Sequence, residues 1–251
     1  MKDTRGILEL NKNSWEKAAE RFFGRTALPE YGPLAPTENE LQLLGNIYEQ
    51  KVLDIGCGSG HSLQYMGDSG AKELWGIDFT KKQIETAKIL LQHQKVDVQL
   101  FESPMEQNPG IPDNYFDIIY SIYALGWTVN LKQTLENIYR YLKRGGTFVF
   151  SWEHPMHDRI FYNEEVGYIL NKSYNIEGPE LNEAWHQEVV IYHRKLSTYI
   201  NTLIETGFTI EKVIDDVALP NDHTPTQPNK WYSTEKAQLI PATFIIKASK
   251  K

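Results

Sequence analysis

The stretch KVLDIGCGSGHSL, residues 51–63, constrains this chain more than any other. An apolar run of strand length leads straight into three glycines at alternate positions, Gly56, Gly58 and Gly60, and then into a short helical pattern. Glycine accepts positive φ and carries no Cβ, so a ligand can come close to such a backbone. A turn between a first strand and its helix also lies where open α/β sheets bind ligands, beside the carboxyl ends of the strands.

The rest of the chain agrees with such a sheet. KVLDI, ELWGID, VDVQLFE, YFDIIYS and TFVFSW read as strands, with helical patterns at 61–68, 80–94 and 131–143. Thr80 and Gln83 have the spacing of a capping box, and Gly145–Gly146 is placed to stop the third helix. Strands and helices in short alternation imply a mostly parallel, doubly wound sheet covered on both faces. A further helix, HRKLSTYINTLIETGF, precedes two strands, FTIEKVIDD and ATFIIKAS, joined by a polar loop over 219–236 with no helix between them. These two strands are expected to pair antiparallel at one edge.

The flanks read differently. Ser14 can cap an N-terminal helix carrying Trp15, Ala18, Ala19 and Phe22 on one side. Thr37 and Glu40 form a second capping box, followed by Leu41, Leu44, Ile47 and Tyr48 at helical spacing. After Trp152 periodicity stops, and residues 151–188 are rich in Tyr, Trp, Phe, Asn and His. The expectation is one α/β domain over 1–251: a helical N-terminal cap (1–48), a core (49–152), an insertion (153–190) and a C-terminal helix with edge strands (191–251).

Composition narrows the setting. A net charge of −7 does not suggest a broad basic surface for nucleic acid. The single cysteine, Cys57, rules out an internal disulfide and reads as a small half-buried filler. No apolar run reaches the length of a signal core or a membrane span, so a cytoplasmic protein is expected.

Three ligands compete for the glycine turn. A dinucleotide turn wants Gly-x-Gly-x-x-Gly, and His61 stands where its third glycine belongs. A phosphate loop wants a following lysine, and the next one is Lys72. The third is S-adenosylmethionine (SAM), a ribonucleoside without pyrophosphate, whose amine could be met by Asp54 just before the turn. VLDIGCGSG in fact resembles the first motif of the class I, seven-stranded SAM-dependent methyltransferases. Asp78, ending the second strand in GIDFT, matches their ribose-binding acid, and PDNYFDIIYS, YLKRGGTFVFSW and LIETGFTIEKVID resemble later segments. The resemblance implies SAM binding by Asp54, Gly56, Gly58, Gly60, Asp78, Phe79 and Ser121, with S-adenosylhomocysteine as product. Ser103, Pro104 and Met105 fall at the adenine position, where the family usually shows an Asp-Ala-like pair. Tyr31, in PEYGP, is expected in a lid over the cofactor.

Such enzymes bring the acceptor into line with the methyl carbon and exclude water, and need a base only for a protonated acceptor. SIYALGW, after the fourth strand, lacks the Asn/Asp-Pro-Pro-Tyr/Phe run of enzymes that methylate DNA bases or protein amides. The resemblance therefore implies a small-molecule acceptor, aromatic or hydrophobic. A tRNA or RNA methyltransferase and a non-catalytic SAM-binding regulator are the alternatives. In SWEHPMHD, His154 is the candidate base, against a loop histidine bonded to backbone. His154, His157 and Asp158 do not match the acidic ligand pattern of metal-dependent relatives, so no metal is expected. Phe161, Tyr162, Tyr168, Tyr174 and Trp185 form either an acceptor pocket or a satellite core, and the same choice stands for Trp15 and Trp127.

Overall fold

The computed structural model describes residues 3–25, 27–220 and 226–251. Part of the polar loop expected over 219–236 therefore lies outside the described residues. The chain begins with α1 (Thr4–Ala18), started by Asp3, whose carboxylate accepts the Gly6 N–H at 2.7 Å. Ser14 is not the cap. It lies inside α1 on a stripe with Ile7, Asn11 and Ala18 that is buried. Next comes α2 (Glu38–Leu41), opened by the expected capping box: Glu40 accepts the Thr37 N–H at 2.7 Å. The expected continuation through Tyr48 is absent. The buried Glu38 carboxylate accepts the N–H groups of Leu43 and Leu44 at 2.9 Å each, and Gln42 turns left-handed at φ 49°.

The core follows as β1 (Lys51–Ile55), α3 (His61–Asp68), β2 (Glu73–Asp78), α4 (Lys81–Leu91), β3 (Asp97–Glu102), β4 (Phe116–Ile122), α5 (Leu131–Tyr141) and β5 (Leu142–Glu153). Two expected ends move. Thr80 does not cap α4 with its side chain; its hydroxyl donates to Asp78 at 2.7 Å. Glu16 of α1 does that work from a distance, accepting the N–H groups of Lys81 (2.6 Å) and Lys82 (3.1 Å). Helix α5 ends at Tyr141, before the two glycines. Its last carbonyls are taken by the Lys250 ammonium and by the N–H groups of Asn114 and Tyr115. The chain is already extended at Leu142, and Gly145–Gly146 fall within a register shift of β5 against β4.

The insertion has more order than its sequence suggests. It forms two antiparallel hairpins, β6 (Ile160–Asn163) with β7 (Gly167–Leu170), and β8 (Gly178–Ala184) with β9 (Gln187–His193). The chain closes with α6 (Leu196–Thr206), ended by left-handed Gly207, then β10 (Phe208–Ile214), α7 (Thr234–Ala237) and β11 (Thr243–Lys250).

The seven-stranded sheet runs β10–β11–β5–β4–β1–β2–β3. It is mixed α/β, mostly parallel, and β11 runs against both β5 and β10. The antiparallel strand is thus one in from the edge. One core joins Leu53, Ile55 and Ile119 to α5 and α6; the other joins Val52, Leu74 and Ile118 to α3 and α4. Between β1 and β4 the strand order reverses, and a crevice opens there at the carboxyl ends. Among the described residues no helix is long and apolar enough to cross a membrane.

Candidate active site

The crevice is a cleft of about 980 Å³, its open mouth included. Its floor is the glycine turn. Gly56 sits at φ 79°, and a Cβ there would lie 2.2 Å from the Ala124 Cβ, in the segment leaving β4. Only glycine fits this contact. Gly58 also has positive φ, 50°, but a Cβ there would meet nothing nearer than the Gln83 amide at 4.0 Å, so the backbone beside it is open.

Asp54 and Asp78 flank the turn. Asp54 is 2% exposed. Burial first, then the charge of Asp78, holds its pKa well above the carboxylate range. The buried Tyr120 hydroxyl works against this rise, though it makes no hydrogen bond of ordinary geometry. Asp78 is raised too, by burial, and bonds from Thr80 and Gly58 offset part of that. Its two oxygens accept the Gly58 N–H (3.0 Å), the Thr80 N–H (2.9 Å) and the Thr80 hydroxyl. A carboxylate offers about four lone-pair sites, so Asp78 can brace the turn and still accept another donor. Cys57 packs beneath, its thiol pushed up by burial and by both acids.

Phe79, Ser103, Pro104 and Met105 line the same cleft as Asp54, Gly56, Gly58 and Asp78. Three other residues expected at the cofactor do not. Gly60 begins α3, and its missing Cβ leaves room for Ala87 (3.1 Å) and Leu91 (3.2 Å) of α4. Ser121 is fully buried and donates to the Ile55 carbonyl at 2.8 Å. Tyr31 is 0% exposed and its hydroxyl donates to Glu38 at 2.6 Å, so it is a core post rather than part of a lid.

His154 also lies elsewhere. Its Nδ1 accepts the Met156 N–H at 3.3 Å, burial lowers its pKa, and it faces a small hollow with Asp158, His193 and Tyr199. That is the loop-histidine arrangement. Among the described residues no group of three or more His, Cys, Asp or Glu could hold a metal ion.

The opposite wall comes from the N-terminal cap and from the segment after β4. Leu8, Trp15, Phe22, Tyr123 and Trp127 line it, with Trp15 packed edge-on against Trp127 at 5.3 Å between ring centroids, and Arg25, Gln83 and Glu106 are polar members. Of the insertion's aromatics only Trp185 joins this group, packed on Trp15 and Phe22 at 4.6 and 4.7 Å between ring centroids. Phe161 packs on Trp231, and Tyr168 donates to the Pro228 carbonyl, away from the cleft. Glu106 and Tyr123 were not expected at the site, and Gln83 was read from the sequence only as a capping-box partner. Tyr123 carries no local signal, although its φ of 53° marks a special backbone position.

Comparison with known proteins gives a consistent result. Residues 53–150 match the family described as "Methyltransferase domain". An uncharacterized protein from Haemophilus influenzae is 33% identical over 185 residues, 69% of this chain and 72% of that one. Phosphoethanolamine N-methyltransferase 3 of Arabidopsis thaliana is 31% identical over 183 residues, which span 70% of this chain but only 36% of the plant protein. A putative S-adenosylmethionine dependent methyltransferase from Listeria monocytogenes superposes with a TM-score of 0.70 at 26% identity, over 85% of this chain and 97% of its own.

Proposed function

Because the chain belongs to the class I SAM-dependent methyltransferases, we propose that it methylates a small-molecule acceptor with apolar or aromatic surface. The observation that carries the cofactor's placement is Asp54: a carboxylate 2% exposed, its pKa raised by burial and by the charge of the half-buried Asp78 across the turn. Such a pair is costly unless a cation neutralises it. The SAM ammonium supplies that charge at Asp54. Asp78 keeps lone-pair capacity for a ribose hydroxyl, and Gly58 leaves the backbone open. Phe79 and Ser103 to Met105 offer a seat for the adenine. The fit is good at each end of the cofactor.

Bound SAM supplies an electrophilic methyl group with a neutral leaving group, and this chain's residues supply position. Trp15, Phe22 and Trp127 exclude water on the acceptor side, and Tyr123 narrows the space above β4. An aromatic wall suits a flat or apolar acceptor. The Arabidopsis relative is named for a small molecule, phosphoethanolamine, which supports a small-molecule acceptor; that molecule is polar and lends nothing to the apolar character proposed here. With His154 bonded to backbone outside the cleft, the proposal gives it no role as a base; the histidine that lines the cleft is His61, its Nδ1 3.0 Å from the Ser59 hydroxyl.

The test is transfer of labelled methyl from SAM into cell extract, separated into small-molecule, RNA and protein fractions. Label is expected in the small-molecule fraction. Label confined to RNA would overturn the acceptor class.

A further inference from the structure

The tip of the β8–β9 hairpin is strained. Ala184 pairs with Gln187, so only Trp185 and His186 make the turn, at φ 55° and 62°. Two positive φ values belong to a turn that usually holds Asn-Gly. A bulky residue there is an outlier, and such outliers collect at functional positions.

Trp185 has a reason to be there. Its ring packs on Trp15 (4.6 Å), Phe22 (4.7 Å) and Trp127 (6.1 Å), and all three of those residues line the cleft. The Trp15 indole N–H is buried without a hydrogen-bond partner, so packing alone orients that ring. The same hairpin also holds the helix that carries Trp15. The Asn11 amide donates to the Val190 carbonyl and its oxygen accepts the Val190 N–H, both at 2.8 Å, and Ser14 donates to the Glu188 carbonyl at 2.6 Å. Helix α1 and the hairpin therefore form one clasp behind the aromatic side of the cleft, with the strained residue at its closing end.

We infer that Trp185 is a positioning residue for the bound cofactor and acceptor: from the strained hairpin tip it holds Trp15 and Phe22 over the cleft. The inference rests on the SAM-binding reading above and goes beyond it, since Trp185 itself is not part of the cleft wall.

The experiment separates clasp from scaffold. Tritiated SAM is bound to the full chain and its release is timed in excess unlabelled SAM. Trp185→Asn combined with His186→Gly gives the turn its preferred residues and removes the ring. This variant is expected to release label about tenfold faster, with no fall in the thermal midpoint of the ligand-free protein. Trp185→Phe, which keeps a ring at the tip, should stay within about twofold of the unmodified chain. Release at the original rate from the relaxed-turn variant overturns the inference. So does faster release accompanied by a lower midpoint, which would make Trp185 a structural residue only. An unmodified chain that holds no SAM overturns the cofactor assignment, and the inference with it.

Discussion

The two walls of the cleft are built by different means. The β1–β2 wall is local: a strand, an alternating-glycine turn and an acid at each strand end, all within residues 51–78. The cap wall is assembled at long range, where Asn11 meets Val190 across 179 residues and Trp15 meets Trp185. The first wall has little tolerance, because backbone and Cβ contacts define it. The second should yield by degrees, because side chains hold it.

The largest effect should come from Gly56→Ala. The added Cβ lands 2.2 Å from the Ala124 Cβ at a φ of 79°. A loss of about 3 kcal/mol in stability is expected, with SAM affinity down by about 100-fold. Ala124→Gly in the same chain should restore part of both, whereas Gly58→Ala, facing open space, should cost only about 1 kcal/mol. Denaturant titration and calorimetric binding read these out. Equal losses at the two glycines would break the contrast between a packed and an open position.

Asp54→Asn comes next, and its two effects oppose each other. Losing a charged partner for the SAM ammonium should weaken binding by about tenfold or more. The ligand-free protein should become more stable. Asp54 has a raised pKa in the folded state, so the fold binds the proton more tightly than the unfolded chain does. Stability then falls as pH rises from the ordinary aspartate value up to the raised one. Asparagine removes that slope. Denaturation at about pH 5 and about pH 8 should differ less in the variant than in the original. An unchanged slope would mean that Asp54 is not the group responsible.

The smallest effect belongs to the cap. Asn11→Ala leaves the Val190 N–H and carbonyl without their α1 partner, at a cost of about 1 kcal/mol. Hydrogen exchange should quicken in α1 and β9 while β1 and β4 keep their protection. Uniform loss of protection across the sheet would show that cap and core open as one unit.

How much could be read in advance follows the same division. Strand limits from Lys51 to Ile122 emerged within a residue or so, because apolar runs and glycines mark them locally. Caps were less legible. Ser14 has the chemistry of a cap, but the stripe of α1 that packs inward includes Asn11 and Ser14, which bond the edge of β9. Thr80 has the spacing of a cap, but its hydroxyl is claimed by Asp78. Glu38 ends α2 by taking the N–H groups of Leu43 and Leu44, although Leu44 and Ile47 keep a helical period. In each case a buried polar side chain overrides propensity, and propensity is all that sequence spacing reports.

The candidate site divides likewise. The places of Asp54, Gly56, Gly58 and Asp78 around the turn were legible because they depend on neighbours within a few residues or one strand away. Tyr31 and His154 were misplaced because their side-chain directions depend on Glu38 and on the turn at Met156. Sequence by itself determined the parallel sheet, the turn at its switch point and the cofactor that such a turn accepts, since these rest on short-range sterics and strand period. Tertiary structure alone decided what walls the other side of the cleft. The clasp of α1 and the β8–β9 hairpin exists only because a polar stripe on one helix meets a strand edge nearly the whole chain away.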